Sequence, residues 1–201
     1  MRRYPFRPSI TDRLMVKALR KALPPNQRRL FDASLVELLK GEIQYFTDRA
    51  TNGHILFVAA VLCLYRSLRR IGHSDPAAKA IIRRSLRGLG RKSTAFIIWA
   101  TCALTRDSFQ TIRKYSRDRA KNAYGPTFQI SESDIDQGFV SEVHVCGYRT
   151  FLARHQALDL TEVLCEWDSV WIDALPNTIA FRRPTTLALG GKSCRFEFRQ
   201  K

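Results

Sequence analysis

The sequence predicts an α+β fold: a helical N-terminal layer packed on a small antiparallel sheet that carries two short helices. Three observations predict it. Apolar residues recur at helical spacing through residues 1–125, a period-two alternation sets in at residue 138, and a Gly-Gly pair separates two alternating runs near the C-terminus. A hydrophobic fraction of 45% with 26% charged residues suits one globular domain over 1–201, basic and helical at 1–125 and α+β at 126–201.

The helices follow in order. Residues 11–22 and 27–48 carry apolar positions such as Leu35, Leu38, Leu39, Ile43 and Phe46 three and four apart. A buried helix is expected from Ile55 to near Gly72. Its longest apolar run, "ILFVAAVLCLY", is shorter than the ~20 residues that a membrane span needs. Ser74 is placed to cap the next helix, with Asp75 and Pro76 in its first turn, and "GLG" at 88–90 interrupts it. "AFIIWATCAL" precedes a strongly basic helix expected from Thr105 to Gly125-Pro126.

From residue 138 the pattern changes. "GFVSEVHVC" puts Phe139, Ser141, Val143 and Val145 on one face, and Val140, Glu142, His144 and Cys146 on the other. Helices are expected at 148–156 and 160–175, the second opened by a capping pair of Asp159 and Glu162. The last stretch reads as two strands joined by a tight turn at Gly190-Gly191.

Charge is unevenly distributed. Residues 1–125 hold 26 Lys/Arg against 8 Asp/Glu, whereas 126–201 hold eight against ten, within a net charge of +16. A basic half suits an anionic partner: nucleic acid, acidic lipid or a negatively charged substrate. Its alternative is a solvated arginine face. No helix-turn-helix or RNA-binding signature is present, and the aromatic residues of the basic half sit in apolar stripes rather than between arginines, which disfavours nucleic acid without excluding it. The N-terminus has charge but no apolar core of a secretory leader, and five cysteines include no CxxC pair. Reduced thiols and a cytoplasmic location are the expectation. Homo-oligomerisation is left open.

The chemistry concentrates at the C-terminus. On the 160–175 helix the apolar stripe is Leu164, Trp171, Ile172 and Leu175, and Asp168 falls inside it, with Cys165 one turn earlier. A carboxylate buried without a partner costs several kcal/mol, so Asp168 is paired, protonated or functional. In the last run Cys194, Phe196 and Phe198 share the apolar face, and Arg195, Glu197 and Arg199 the other. Each has a plain alternative: free cysteines act as small hydrophobes, His155 falls in line with Tyr148, Phe151 and Leu152 as a core histidine, and His144 marks a wet strand face. Cys146, Cys165 and Cys194 lack the close spacing of a zinc site, so no metal is expected.

This order of elements resembles the L-2-amino-thiazoline-4-carboxylic acid hydrolase family. That family pairs a Cys after a strand, a Cys-x-x-Asp on the following helix and a Gly-rich turn leading into Cys-x-Phe-x-Phe. Here these are Cys146, Cys165 with Asp168, and Gly190-Gly191 leading into Cys194, Phe196 and Phe198. "NGHILFVAAVLCLYRSLRRIG" is similar to the family's N-terminal pattern, while the arginine density of 1–125 matches no signature. The resemblance implies an enzyme of small-molecule metabolism that opens a cyclic amidine-like C=N by hydrolysis, or a relative that closes or isomerises such a ring in biosynthesis. It implies a catalytic set of Asp168, Cys194, Cys165, Cys146 and His155, with Asp168 moving protons and Cys165 or Cys194 adding covalently. His155 or His144 is expected beside the thiol. Arg149 or Arg195, with His144, is expected to bind a carboxylate-bearing substrate. No cofactor is expected.

Overall fold

The computed structural model describes residues 4–201. Helix α1 (Ile10–Lys21) starts on a reciprocal cap: the Ser9 hydroxyl accepts the Asp12 N–H at 3.1 Å, and the Asp12 carboxylate accepts the Ser9 N–H at 2.7 Å. Helix α2 (Arg28–Gly41) is shorter than the expected 27–48. After Gly41 the chain turns through a 3-10 segment at Ile43–Tyr45, because buried Glu42 is held by Arg154 and by His155 Nε2 at 3.0 Å.

Helix α3 (Arg49–Arg70) begins six residues before the expected Ile55. The Asp48 carboxylate caps it, accepting the N–H groups of Ala50 at 2.8 Å and Thr51 at 3.0 Å. Every side chain from Ile55 to Leu64 is buried, as expected of a helix apolar on all sides. At 22 residues it is long and apolar enough to cross a bilayer, but 72% of its most apolar window is buried inside the protein. It is the core helix of this fold. Helix α4 (Asp75–Gly88) uses the Ser74 cap as expected. Gly90, at φ +75°, makes the left-handed corner into α5 (Arg91–Ala103). Helix α6 (Ser108–Asn122) is capped by Asp107 rather than starting at Thr105.

The sheet has four antiparallel strands in the order β1-β2-β4-β3: β1 (Gln129–Ile135), β2 (Gly138–Val145), β3 (Ile179–Thr185) and β4 (Cys194–Gln200). Strand β1 was not expected. "QISESDI" is an edge strand with polar side chains, so it carries little hydrophobic signal. Strands β3 and β4 are not joined by a two-residue turn. Between them lie a 3-10 turn at Leu187–Leu189 and Gly190 at φ +84°.

Helices α7 (Gly147–Arg154), α8 (Leu160–Cys165) and α9 (Ser169–Ile172) follow β2. The expected continuous helix over 160–175 is broken at Asp168 itself by a 3-10 turn, Glu166–Asp168. The Asp159–Glu162 cap does not form, because Asp159 pairs with Lys79 at 2.7 Å instead.

Two cores result. One joins α1–α4 to Phe151, Leu152, Leu160, Val163 and Leu164 of α7 and α8. The other joins Ile98, Cys102, Phe109 and Ile112 of α5 and α6 to Phe139, Ile179 and Phe198 of the sheet, with Trp171 packed against it. The strand after α8 and the turn carrying Asp168 lie at the seam.

The register of β2 against β4 is fixed at one end by Gly138. A Cβ there would lie 2.1 Å from the Phe198 carbonyl oxygen, which is backbone and cannot swing away. Gly138→Ala is therefore expected to cost upwards of about 2 kcal/mol, the scale of overpacking. Chemical denaturation checks it, and an unchanged midpoint contradicts this register.

Candidate functional site

Asp168 sits in the 3-10 turn between α8 and α9, and two donors converge on it. Trp171 Nε1 donates to Oδ1 at 3.2 Å, and Arg183 Nη1 donates to Oδ2 at 2.9 Å. The same Nη1 reaches the Cys165 carbonyl oxygen at 3.1 Å, and the guanidinium lies 5.5 Å from the centre of the Phe196 ring. Protein crowds most of Asp168, yet a third of its side-chain surface (33%) stays open. Crowding raises its pKa above the ordinary carboxylate value, and Trp171, Arg183 and Arg119 only partly offset that.

Three thiols lie within electrostatic reach of this carboxylate. Cys194, at the start of β4, accepts the Leu187 N–H at 3.2 Å. It also takes the hydrogen bond of the Cys165 thiol, which leaves Cys165 protonated with its pKa well raised. That bond is the largest cause lowering the Cys194 pKa, from 9.0 to about 7; the Leu187 N–H and Arg183 add to it, against burial and Asp168. When the pair loses one proton, the proton that remains sits on Cys165 and the charge on Cys194. Cys146, capping α7, is kept protonated by burial despite the nearby N–H groups of Tyr148 and Arg149.

A half-buried aromatic group lies nearby. His54 Nε2 faces the Ala123 carbonyl at 2.8 Å, and Nδ1 faces the Tyr148 hydroxyl at 2.7 Å. A carbonyl can only accept, so Nε2 carries the proton and Nδ1 accepts from Tyr148. Burial lowers the His54 pKa and keeps the ring neutral. Tyr124 stacks parallel to His54 at 5.5 Å, Phe128 packs on both, and Arg119 lies over Tyr124. The field of Asp168 reaches Tyr124 and Tyr148.

Of the residues singled out from sequence, Asp168, Cys194, Cys165 and Cys146 converge. The others do not. His155, at the C-terminal end of α7, is held by Glu42 and packs at a tilt on Phe151 with ring centres 4.5 Å apart, as the core-histidine alternative has it. His144 is exposed and bonds Ser131 at 2.7 Å across the edge of the sheet. Arg195 points to the opposite sheet face, where it pairs with Glu197 at 2.7 Å and lies 3.7 Å from Glu142. Arg149 is exposed. The arginine at the site is Arg183. Its sequence signal was its place two residues after Phe181, on the inward face of β3. His54, Tyr124 and Tyr148 gave no sequence signal, since they are far apart in the chain. Among the described residues, no group of three or more His, Cys, Asp or Glu side chains is arranged to hold a metal ion.

The model of the L-2-amino-thiazoline-4-carboxylic acid hydrolase family matches residues 53–198, which span α3 to β4 and all of the converging side chains. The chain belongs to that family. Comparison with curated proteins and with solved structures gives no match. As a family member it carries the name of a hydrolase, and the cysteines and aspartate described above lie inside the matched region.

Alkylation reads the thiol arrangement directly. Labelling of Cys194 by iodoacetamide is expected to rise with pH through a midpoint of about 7. Cys165→Ala removes the thiol donor and shifts that midpoint upward. Mass-spectrometric mapping of the labelled peptide checks both, and a Cys194 midpoint unmoved by Cys165→Ala contradicts the shared proton.

Proposed function

We propose that this family member opens a 2-amino-thiazoline-4-carboxylate-type ring by hydrolysis, with Cys194 as nucleophile and Asp168 as proton carrier. The observation that carries the reading is the lowered pKa of Cys194 beside a crowded carboxylate that is still open to solvent. The electrophile is the ring carbon bonded to sulfur and two nitrogens. Held as an amidinium, it hydrogen-bonds to Asp168, and the Cys194 thiolate adds to that carbon. The carbon–ring-sulfur bond then breaks, and its electron pair goes to the ring sulfur, which takes a proton. Water adds to the same carbon, Asp168 accepts its proton, and the Cys194 thiolate leaves. The water oxygen ends as the urea carbonyl of an N-carbamoyl amino acid with a free thiol.

Arg183 uses Nη1 for Asp168 and the Cys165 carbonyl, which leaves further N–H donors for the substrate carboxylate. It takes the role that Arg149 and Arg195 were expected to fill. Cys146 and the neutral His54–Tyr148 pair form the wall against which the ring packs.

Hydrolysis is followed by thiol release from the thiazoline. Cys194→Ala is expected to abolish it, and wild-type activity is expected to rise through pH 7 as Cys194 ionises. Absence of thiol release by the wild-type protein overturns the substrate assignment. Asp168→Asn is expected to slow turnover by about 10², the scale of a lost acid–base group. Its stability follows from the sign of the shift. A raised folded-state pKa gives stability that is present while Asp168 is protonated and is lost as pH rises through that pKa. Asparagine cannot ionise, so its melting temperature at neutral pH is expected to equal or exceed that of the wild type. A marked drop in melting temperature would make Asp168 a structural ion-pair partner of Arg183.

A further inference from the structure

Helix α5 wears its apolar residues on the outside. Ile98 and Cys102, one turn apart, bury a narrow stripe against the second core. At 100° per residue, Trp99, Ala103, Phe96, Ala100, Leu104 and Ile97 follow one another around the opposite side, an arc of about 160°. Phe96 is 65% exposed, Trp99 64%, Ile97 53% and Leu104 87%. The Phe96 and Trp99 rings lie 5.9 Å apart and cover each other only in part. A contiguous exposed face of this kind marks a contact surface.

Charge says what contacts it. Between Asp75 and Asp107 the chain holds seven Lys/Arg and no Asp/Glu. Lys79 and Arg83 are consumed in ion pairs with Asp75, Asp159 and Glu166. Arg84, Arg87, Arg91, Lys92 and Arg106 are exposed. None of these five is in an ion pair among the described residues. Arg91 and Lys92 open α5 and Arg106 follows its end, at the two ends of the apolar arc, while Arg84 and Arg87 stand on the preceding helix α4.

We infer that α5 is a docking helix for an anionic lipid surface, lying in the plane of the interface with Phe96, Ile97, Trp99 and Leu104 inserted and the flanking arginines and lysine on the headgroups. Trp at the headgroup level, aliphatic side chains below it and basic residues around it are the composition such helices use. A second copy of this chain is disfavoured, because isologous contact would set two sets of unpaired cations, on chains of net charge +16, against each other. Nucleic acid is disfavoured as well: it offers nothing to Ile97 or Leu104, and Phe96 and Trp99 are packed on each other rather than spaced to receive bases. The inference stands apart from the assignment of the reaction, since no residue of the thiol–carboxylate site takes part.

Flotation of the full chain with vesicles tests it. The protein is expected to float with phosphatidylcholine vesicles that contain a third phosphatidylglycerol, to float far less with phosphatidylcholine alone, and to be partly released by salt. Phe96→Ser with Trp99→Ser, and separately Arg91→Gln with Lys92→Gln, are each expected to lower the bound fraction at least about tenfold. All four side chains are exposed, so circular-dichroism melts of both variants are expected to match the wild type. The charge variant still decides the matter if the serine variant melts early. No flotation, or binding equal in all three proteins, overturns the inference. So does a dimer in analytical ultracentrifugation that Phe96→Ser with Trp99→Ser dissociates, or binding of a single-stranded oligonucleotide without binding of vesicles.

Discussion

A carboxylate that protein crowds on most sides must be matched by donors, and the pairing of Asp168 with Arg183 organises the C-terminal third of this chain. The guanidinium joins β3 to the turn between α8 and α9 and at the same time holds the Cys165 carbonyl. Fixing that turn sets Cys165 on the side of β4, where Cys194 begins the strand. The pairing is not a simple stabilising bridge. Desolvation outweighs the attraction of Arg183 and Arg119, so the carboxyl pKa rises rather than falls. A group kept at such a cost, open to solvent and beside the Cys165–Cys194 pair, marks a candidate site.

The cysteines divide the remaining work by environment. Cys63 lies deep in α3, and burial raises its pKa to about 12, so it serves as a small hydrophobe. Cys102 does the same beneath α5. Cys165 and Cys194 differ from these because they face each other. One thiol donates to the other, and a backbone N–H completes the cradle of the acceptor. The cost of that arrangement is borne by the connection between β3 and β4, which needs the 3-10 turn at Leu187–Leu189 and left-handed Gly190 to present the Leu187 N–H.

The two cores meet at this seam. The family match spans Gly53 to Phe198, so most of α3, the core helix, and most of β4, which carries Cys194, lie inside it. Helices α1 and α2 lie before it and cover α3, burying Val16, Leu19, Phe31 and Leu35. The site borrows from both cores: His54 and Tyr148 come from the helical side, Cys194 and Arg183 from the sheet.

Period and punctuation in the sequence determined the α+β class, the Ser74 cap, the break at Gly88–Gly90, strand β2 and the alternation of β4, because each is written in residues close together in the chain. The same local logic singled out Asp168, Cys165 and Cys194, since a carboxylate and thiols inside an apolar stripe are visible without a fold, whereas Cys146 entered through the family resemblance. Tertiary structure alone decided the rest. It ended α2 at Gly41 to bury Glu42 under Arg154 and His155, which removed His155 from the site. It paired a polar edge strand, β1, whose ladder needs no apolar side chains. It selected Arg183 rather than Arg149 or Arg195 as the arginine beside Asp168, because pairing β3 with β4 brings the inward face of β3 over the turn that carries Asp168. It also set which thiol of the pair holds the proton, for that depends first on the hydrogen bond between Cys165 and Cys194, which lie 29 residues apart and meet only after folding, and then on the Leu187 N–H and the Arg183 charge.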